Sequence, residues 1–387
     1  MKKLRAYFTL LLITLLIGVF MFCKKDSKSK QDLTQRNRKT QMDIQKQTFG
    51  KLPDGREIIL YTLVNGEGME AQIMTYGATL VSLKVPDSQG NLEDITLGHY
   101  SLQGYLEASP YFGATVGRYA NRIAHGKFTL DGVKYQLPTN EREHHLHGGT
   151  KGFDKRVWQA KAVHKQKAVG VEFQYLSPDG EQGYPGNLSC TVTYFLTKDN
   201  QIKIKYQAET DKSTPLNLTH HSYFNLDGQG KGDILDHILM INAHKYTPVN
   251  EDLIPTGEIR SVKETPLDFT SPRKIGSRID KVEGGYDHNY VLDKSENNLV
   301  LAARVEGPDS GRVMELYTTE PGIQFYSGNF LEGTIEGKNS EIYHQHYGFC
   351  LEPQHFPDSP HHPDFPSTIL RPGEKYHSFS VYKFYTQ

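Results

Sequence analysis

Apolar and polar residues alternate with a period of two through the middle of the chain. Val171, Phe173 and Tyr175 alternate with Glu172 and Gln174. Leu188, Cys190, Val192, Tyr194 and Leu196 alternate with Ser189, Thr191 and Thr193, and Ile202, Ile204 and Tyr206 with Lys203, Lys205 and Gln207. Successive side chains of a strand point to opposite faces, so this pattern predicts half-buried strands. Turn signals at Asp131-Gly132, Pro178-Asp179-Gly180, Asp227-Gly228 and Arg371-Pro372-Gly373 punctuate the runs, and no segment after the N-terminal region sustains the 3.6-residue period of an amphipathic helix. Strands with one apolar face need a second layer to cover it. The expected fold is therefore all-β, a large antiparallel β-sandwich. No linker, charge block or repeat interrupts the sequence from Lys51 onward, so residues 48–387 are expected to form one domain.

The N-terminus is different in kind. Lys2, Lys3 and Arg5 precede an apolar stretch from Phe8 to Phe22, the layout of an export signal. As a helix that stretch rises only ~22 Å, short of the ~30 Å hydrocarbon core, which argues against a permanent span. Cys23 follows at the apolar-to-polar junction, where bacterial lipoproteins are lipid-modified, and is the lipidation candidate. The expected organisation is an export signal over 1–23, a polar tether over 24–47, and an exported protein, periplasmic or a membrane-anchored lipoprotein of a bacterium. A lipid on Cys23 would be its one route to a membrane. Cys190 and Cys350 are too few for a disulfide scaffold and are expected as buried free thiols, with a single bridge between them as the alternative in an oxidising compartment. A net charge of -1 gives no reason to expect a nucleic-acid partner and leaves oligomeric state open.

Polar residues concentrate in six segments, each bounded by Gly or Pro or set beside a strand-like run. They are Gly117-Arg118-Tyr119-Ala120-Asn121-Arg122-Ile123, Leu146-His147-Gly148-Gly149, His221-Ser222-Tyr223-Phe224-Asn225-Leu226, Tyr286-Asp287-His288-Asn289, Pro321-Gly322-Ile323-Gln324-Phe325-Tyr326-Ser327-Gly328-Asn329-Phe330, and Leu351-Glu352-Pro353-Gln354. Any one alone is weak, since an imidazole in an aromatic run is more often packed core than acid. Together they offer an imidazole, a carboxylate, an arginine and aromatic rings, a set suited to moving protons on a sugar.

In content and order these six segments resemble the aldose 1-epimerase (galactose mutarotase) family over essentially the whole domain. The resemblance implies a β-sandwich holding a free aldose on a concave face, and interconversion of its α and β anomers without cofactor or metal. By the same resemblance Glu352 is the base at the anomeric hydroxyl, His221 the acid at the ring oxygen, and His147 a second imidazole that steadies developing charge. Asn121, Arg122, Asp287 and Gln324 would grip the hydroxyls. His220 stands where the family commonly carries Asn and is assigned no role. A competing metal reading rests on the alternate-residue pairs His145/His147 and His344/His346, which a strand would place on one face.

Overall fold

The computed structural model describes residues 41–294 and 298–387, and the segments 1–23 and most of 24–47, with Cys23, lie outside them. Among the described residues the strands pair antiparallel. The largest sheet has nine strands. It runs from Gln159–Lys165 through Ala168–Ser177, Leu188–Thr197 and Gln201–Thr210, then takes the C-terminal strand Tyr376–Thr386 and continues to Arg312–Thr318 and Val300–Glu306. Here the alternation read from sequence is met residue by residue: in Gln201–Thr210 the apolar Ile202, Ile204 and Tyr206 are buried and the intervening Lys203 and Lys205 are only partly so.

A five-stranded meander over residues 43–94 and a second five-stranded sheet supply the covering elements. The second sheet matters most for function. It places Asp287–Val291 beside Gly322–Tyr326, which in turn pairs with Cys350–Gln354. One face presents Tyr290, Ile323, Phe325 and Leu351 to the main core, where they join Val171, Phe173, Val192 and Ile204 of the large sheet. Burial of side chains of this size contributes about 1.5–3 kcal/mol each. The opposite face carries the buried Asn289, Gln324, Cys350, Glu352 and Gln354 and the partly buried Asp287.

One expectation is corrected by this architecture and another, that of buried free thiols, is met. The first strand begins at Asp43, inside the stretch assigned to the tether, because Ile44 pairs with Leu63 and packs on the main core. Cys190 and Cys350 do not pair; both are free and buried. Cys190 belongs to the main core and Cys350 to a smaller cluster on the far face of the second sheet, with the layer containing Leu351 and Phe325 facing the core between them.

Candidate active site

The site is built from two rows of side chains across the second sheet. Directly paired residues of antiparallel strands share a face. Asp287 opposes Tyr326, which opposes Cys350; two residues along, Asn289 opposes Gln324, which opposes Glu352. Thr219–His221 lies against the Cys350–Gln354 strand and pairs with Ala114–Val116, and this brings the His221 ring over the second sheet. Thr219 Oγ1 donates to Pro353 O at 2.8 Å, joining the two segments that carry the imidazole and the carboxylate.

Arg122 and His147 arrive on a third unit. Arg122–Ile123 pairs with His145–Leu146, and just beyond each pair the chain turns through left-handed conformations at Asn121 (φ 61) and His147 (φ 49). Asn tolerates that region well; His adopts it at some cost, a feature associated with functional positions. The turns lock each other. The Asn121 amide donates to His147 Nδ1 at 3.1 Å and the His147 amide donates to Asn121 O at 3.1 Å. Gly148 is required here, since a β-carbon on it would fall 1.8 Å from Gly117 O.

These elements enclose a cavity of about 130 Å³ lined by Tyr111, Asn121, Arg122, His147, His221, Tyr223, Asp287, Tyr326, Phe330 and Glu352, with Pro110 and Leu146 at its edge. His221 Nε2 stands 3.7 Å from Glu352 Oε2, and Arg122 reaches to 3.9 Å of Asp287. Stacked rings cover both faces of His221: Tyr223 at 5.2 Å and Tyr111 at 5.7 Å. Glu352 Oε2 and Arg122 Nε are buried without a hydrogen-bond partner. Buried polar atoms are normally paired, so their openness marks where a hydroxylated ligand would bond.

The electrostatics oppose charge on the central groups. Burial drives the Glu352 carboxyl well above its ordinary range, helped by the nearby Asp287 and resisted by Arg122. Burial also lowers His221 to about 4, and it lowers His147 well below its ordinary range, with His221 and Arg122 adding repulsion. The 3.7 Å approach of His221 to Glu352 is therefore not an ion pair in the free protein, because desolvation favours the neutral form of each. Two neutral groups and an ion pair hold the same single proton.

His147, His221 and Glu352 each place one donor atom within 4.8 Å of the others, a spacing that invites a divalent ion. The proton arrangement argues otherwise. Nδ1 of His147 accepts from a backbone amide, so the ring proton of the neutral imidazole sits on Nε2, the nitrogen left for a ligand. That ring offers a donor to an oxygen, not a lone pair to a metal. The alternate-residue histidine pairs do not assemble either. His145 is occupied on both nitrogens, by Pro138 O at 2.8 Å and Tyr184 Oη at 2.6 Å, and His346 Nδ1 bonds Ser327 O at 2.7 Å.

Of the residues expected from sequence, Glu352, His221, His147, Asn121, Arg122 and Asp287 converge on the cavity. Gln324 stands behind it: its Nε2 donates to Asp287 Oδ1 at 2.6 Å, so it orients the carboxylate. Asn121 lines the wall with its Oδ1 committed to the Arg122 amide at 3.0 Å. His220 points away from the site, towards Ser222 Oγ at 2.7 Å and Tyr194 Oη at 3.3 Å. Sequence reasoning missed Tyr111. The only signal was a proline and two aromatics ahead of a glycine, in Pro110-Tyr111-Phe112-Gly113.

The aldose 1-epimerase family pattern matches residues 60–383, and the chain belongs to that family of isomerases. It is 45% identical over 344 residues to galactose mutarotase of Rattus norvegicus, covering 89% of this chain and 99% of the rat protein. It is 43% identical over 339 residues to aldose 1-epimerase of Escherichia coli, covering 86% and 96%. A solved aldose epimerase homologue from C. elegans superposes with a TM-score of 0.78 at 32% identity, covering 84% of this chain and 98% of that one. These relatives overturn the expectation of an exported bacterial lipoprotein. The likeness extends to galactose mutarotases of rat and human, proteins that the matched region fills to 99% and 98%.

Proposed function

We propose that Glu352 and His221 are the acid–base pair by which this aldose 1-epimerase opens and closes the hemiacetal ring of a free aldose such as galactose or glucose. Ring opening takes a proton from the anomeric hydroxyl and gives one to the ring oxygen, so it needs a base and an acid on either side of the sugar. The pair's one proton passes from Glu352 to His221 ahead of this step, so that Glu352 takes the first and His221 supplies the second. After rotation about C1–C2 the roles reverse and the ring closes to the other anomer. The pair starts and ends with one proton between them, and so the reaction needs no outside acid or base.

The observation that carries the assignment is the pairing of His221 Nε2 and Glu352 Oε2 at 3.7 Å within a partly open, aromatic-walled cavity, with one carboxyl oxygen unpartnered. The N–H at His147 Nε2 is available to the ring oxygen or a neighbouring hydroxyl. Arg122 and Asp287 offer the stronger, charge-assisted bonds to hydroxyls, while Gln324 acts on the sugar only through Asp287. Polarimetry of freshly dissolved α-galactose and α-glucose tests the activity directly. The protein should speed the approach to anomeric equilibrium well above the buffer rate, and a rate equal to buffer for both sugars would refute the proposal.

A further inference from the structure

We infer that Cys350 is a positioning residue that fixes which nitrogen of His221 exchanges the proton with the sugar. The inference rests on the acid role proposed for His221 and extends it to a side chain that touches no substrate.

Aromatic rings and the Cys350–Gln354 strand surround His221 where it lines the cavity. Tyr223 and Tyr111 stack on its two faces, and His147 meets it edge-on with ring centres 5.1 Å apart. Its two nitrogens face the same strand. Glu352 Oε2 lies 3.7 Å from Nε2 and Cys350 Sγ lies 3.5 Å from Nδ1. Residues two apart on a strand project to one face about 6.6 Å apart. The Cys-x-Glu spacing of Cys350 and Glu352 thus straddles one imidazole, with one residue at each nitrogen.

A thiol suits the Nδ1 side in both states of the ring. Nδ1–H donates to the sulfur whether His221 is neutral or protonated, so the imidazolium gives its proton from Nε2 and the neutral ring left behind keeps Nδ1–H, with a lone pair on Nε2 to take the proton back. In either state Nε2 is the atom that gives or takes the proton, and that atom faces Glu352. Burial, with Glu352 and Asp287 adding to it, drives the Cys350 thiol well above its usual range, so it stays an S–H and brings no charge to the ring. The other titratable groups facing His221 are Glu352, His147, Tyr111, Tyr223 and, on its own strand, His220. His220 is lowered to about 3, by burial first and by His221 second, and so is neutral. Without the sulfur the neutral ring is freer to carry its proton on Nε2, the tautomer in which Nε2 has no lone pair to take the proton back.

Three variants test the role. Cys350→Val keeps bulk and removes hydrogen bonding, Cys350→Ala removes both, and Cys350→Ser restores a group that donates and accepts. Turnover of α-galactose should fall about tenfold in the Val and Ala variants, the worth of one hydrogen bond, with KM changed less than about twofold. Cys350→Ser should recover most of the loss. In ¹⁵N-histidine NMR, neutral His221 should be a single Nδ1–H tautomer in the parent protein and a mixture in Cys350→Val. Wild-type turnover and pH profile in Cys350→Val would overturn the inference, as would a Ser variant no better than Val. Should His221→Ala itself retain turnover, the acid assignment falls and takes this inference with it. Loss of turnover in His221→Ala together with full activity in Cys350→Val would defeat the inference alone.

Discussion

The strands Gln201–Thr210 and Cys350–Gln354 obey the same geometry and are used in opposite ways. In the first, every second residue is buried and the residues between them are partly exposed Gln and Lys and an exposed Glu209. In the second all five residues are buried, with Leu351 and Pro353 on one face and Cys350, Glu352 and Gln354 on the other. A carboxyl buried among uncharged neighbours costs stability unless it is paired or protonated. Glu352 has been driven towards the neutral form with one oxygen unpartnered. The first strand is organised for stability; the second gives up some stability to hold a proton where a sugar can use it.

Substitutions on the two strands should therefore fail differently. The largest expected effect is on turnover: His221→Ala and Glu352→Gln should each lower kcat by a factor of order 10² to 10⁴, the usual worth of one general acid or base. Because they act as a pair, the double variant should lose much less than the product of the two single losses. Strictly multiplicative kinetics would break the pairing.

On the other strand, Ile204→Ala should cost about 2–5 kcal/mol of stability, as expected for a fully buried isoleucine, while kcat of the folded fraction is kept. Denaturant unfolding followed alongside polarimetry separates the two outcomes. A fall in kcat without loss of stability would mean the strands are not distinct in role.

Arg122→Ala should act mainly through binding. Loss of a charge-assisted hydrogen bond predicts a KM for galactose raised by roughly tenfold or more, at least as large as any fall in kcat. A change confined to kcat would contradict its placement as a sugar-gripping residue.

The subtlest effect is in pH. His221 is lowered to about 4, and the Glu352 carboxyl is raised. Between those limits the pair holds one proton. A second proton enters only as pH falls towards about 4, and the single proton is lost only as pH rises through the elevated value of Glu352. The profile of kcat/KM should thus show no acid limb in the ordinary histidine range near 6.5. An acid limb centred there would show that the ring is not desolvated.

The sandwich was legible because alternation reports a strand with one wet face, as at Val171, Phe173 and Tyr175. That signal fails where both faces are buried. Nothing in the period of Cys350-Leu351-Glu352-Pro353-Gln354 distinguishes the core face from the site face, and only the polar residue types hinted at it. The site was legible through its segments more than through its geometry. Gln324 was expected on the sugar and does not line the cavity; its amide is committed to Asp287 Oδ1. Tyr111 carries no periodic signal, since it sits at φ 64 in a turn. Asp43 and Ile44 looked like tether because polar neighbours masked one apolar residue that reaches the core.

The contrast between the two strands is tested most directly by Glu352→Gln, measured at once for galactose mutarotation and for thermal unfolding against pH. The folded carboxyl is raised above its unfolded value, so the native protein holds its proton more tightly. The resulting cost to stability is absent below the unfolded value near 4.3 and grows as pH rises above it, until the folded group also ionises. The account predicts that at neutral pH the variant loses at least a hundredfold in turnover while its Tm matches or exceeds that of the parent, the difference closing as pH falls towards about 4. A variant that unfolds earlier than the parent at neutral pH, or one that still equilibrates the anomers at the parent rate, would contradict it.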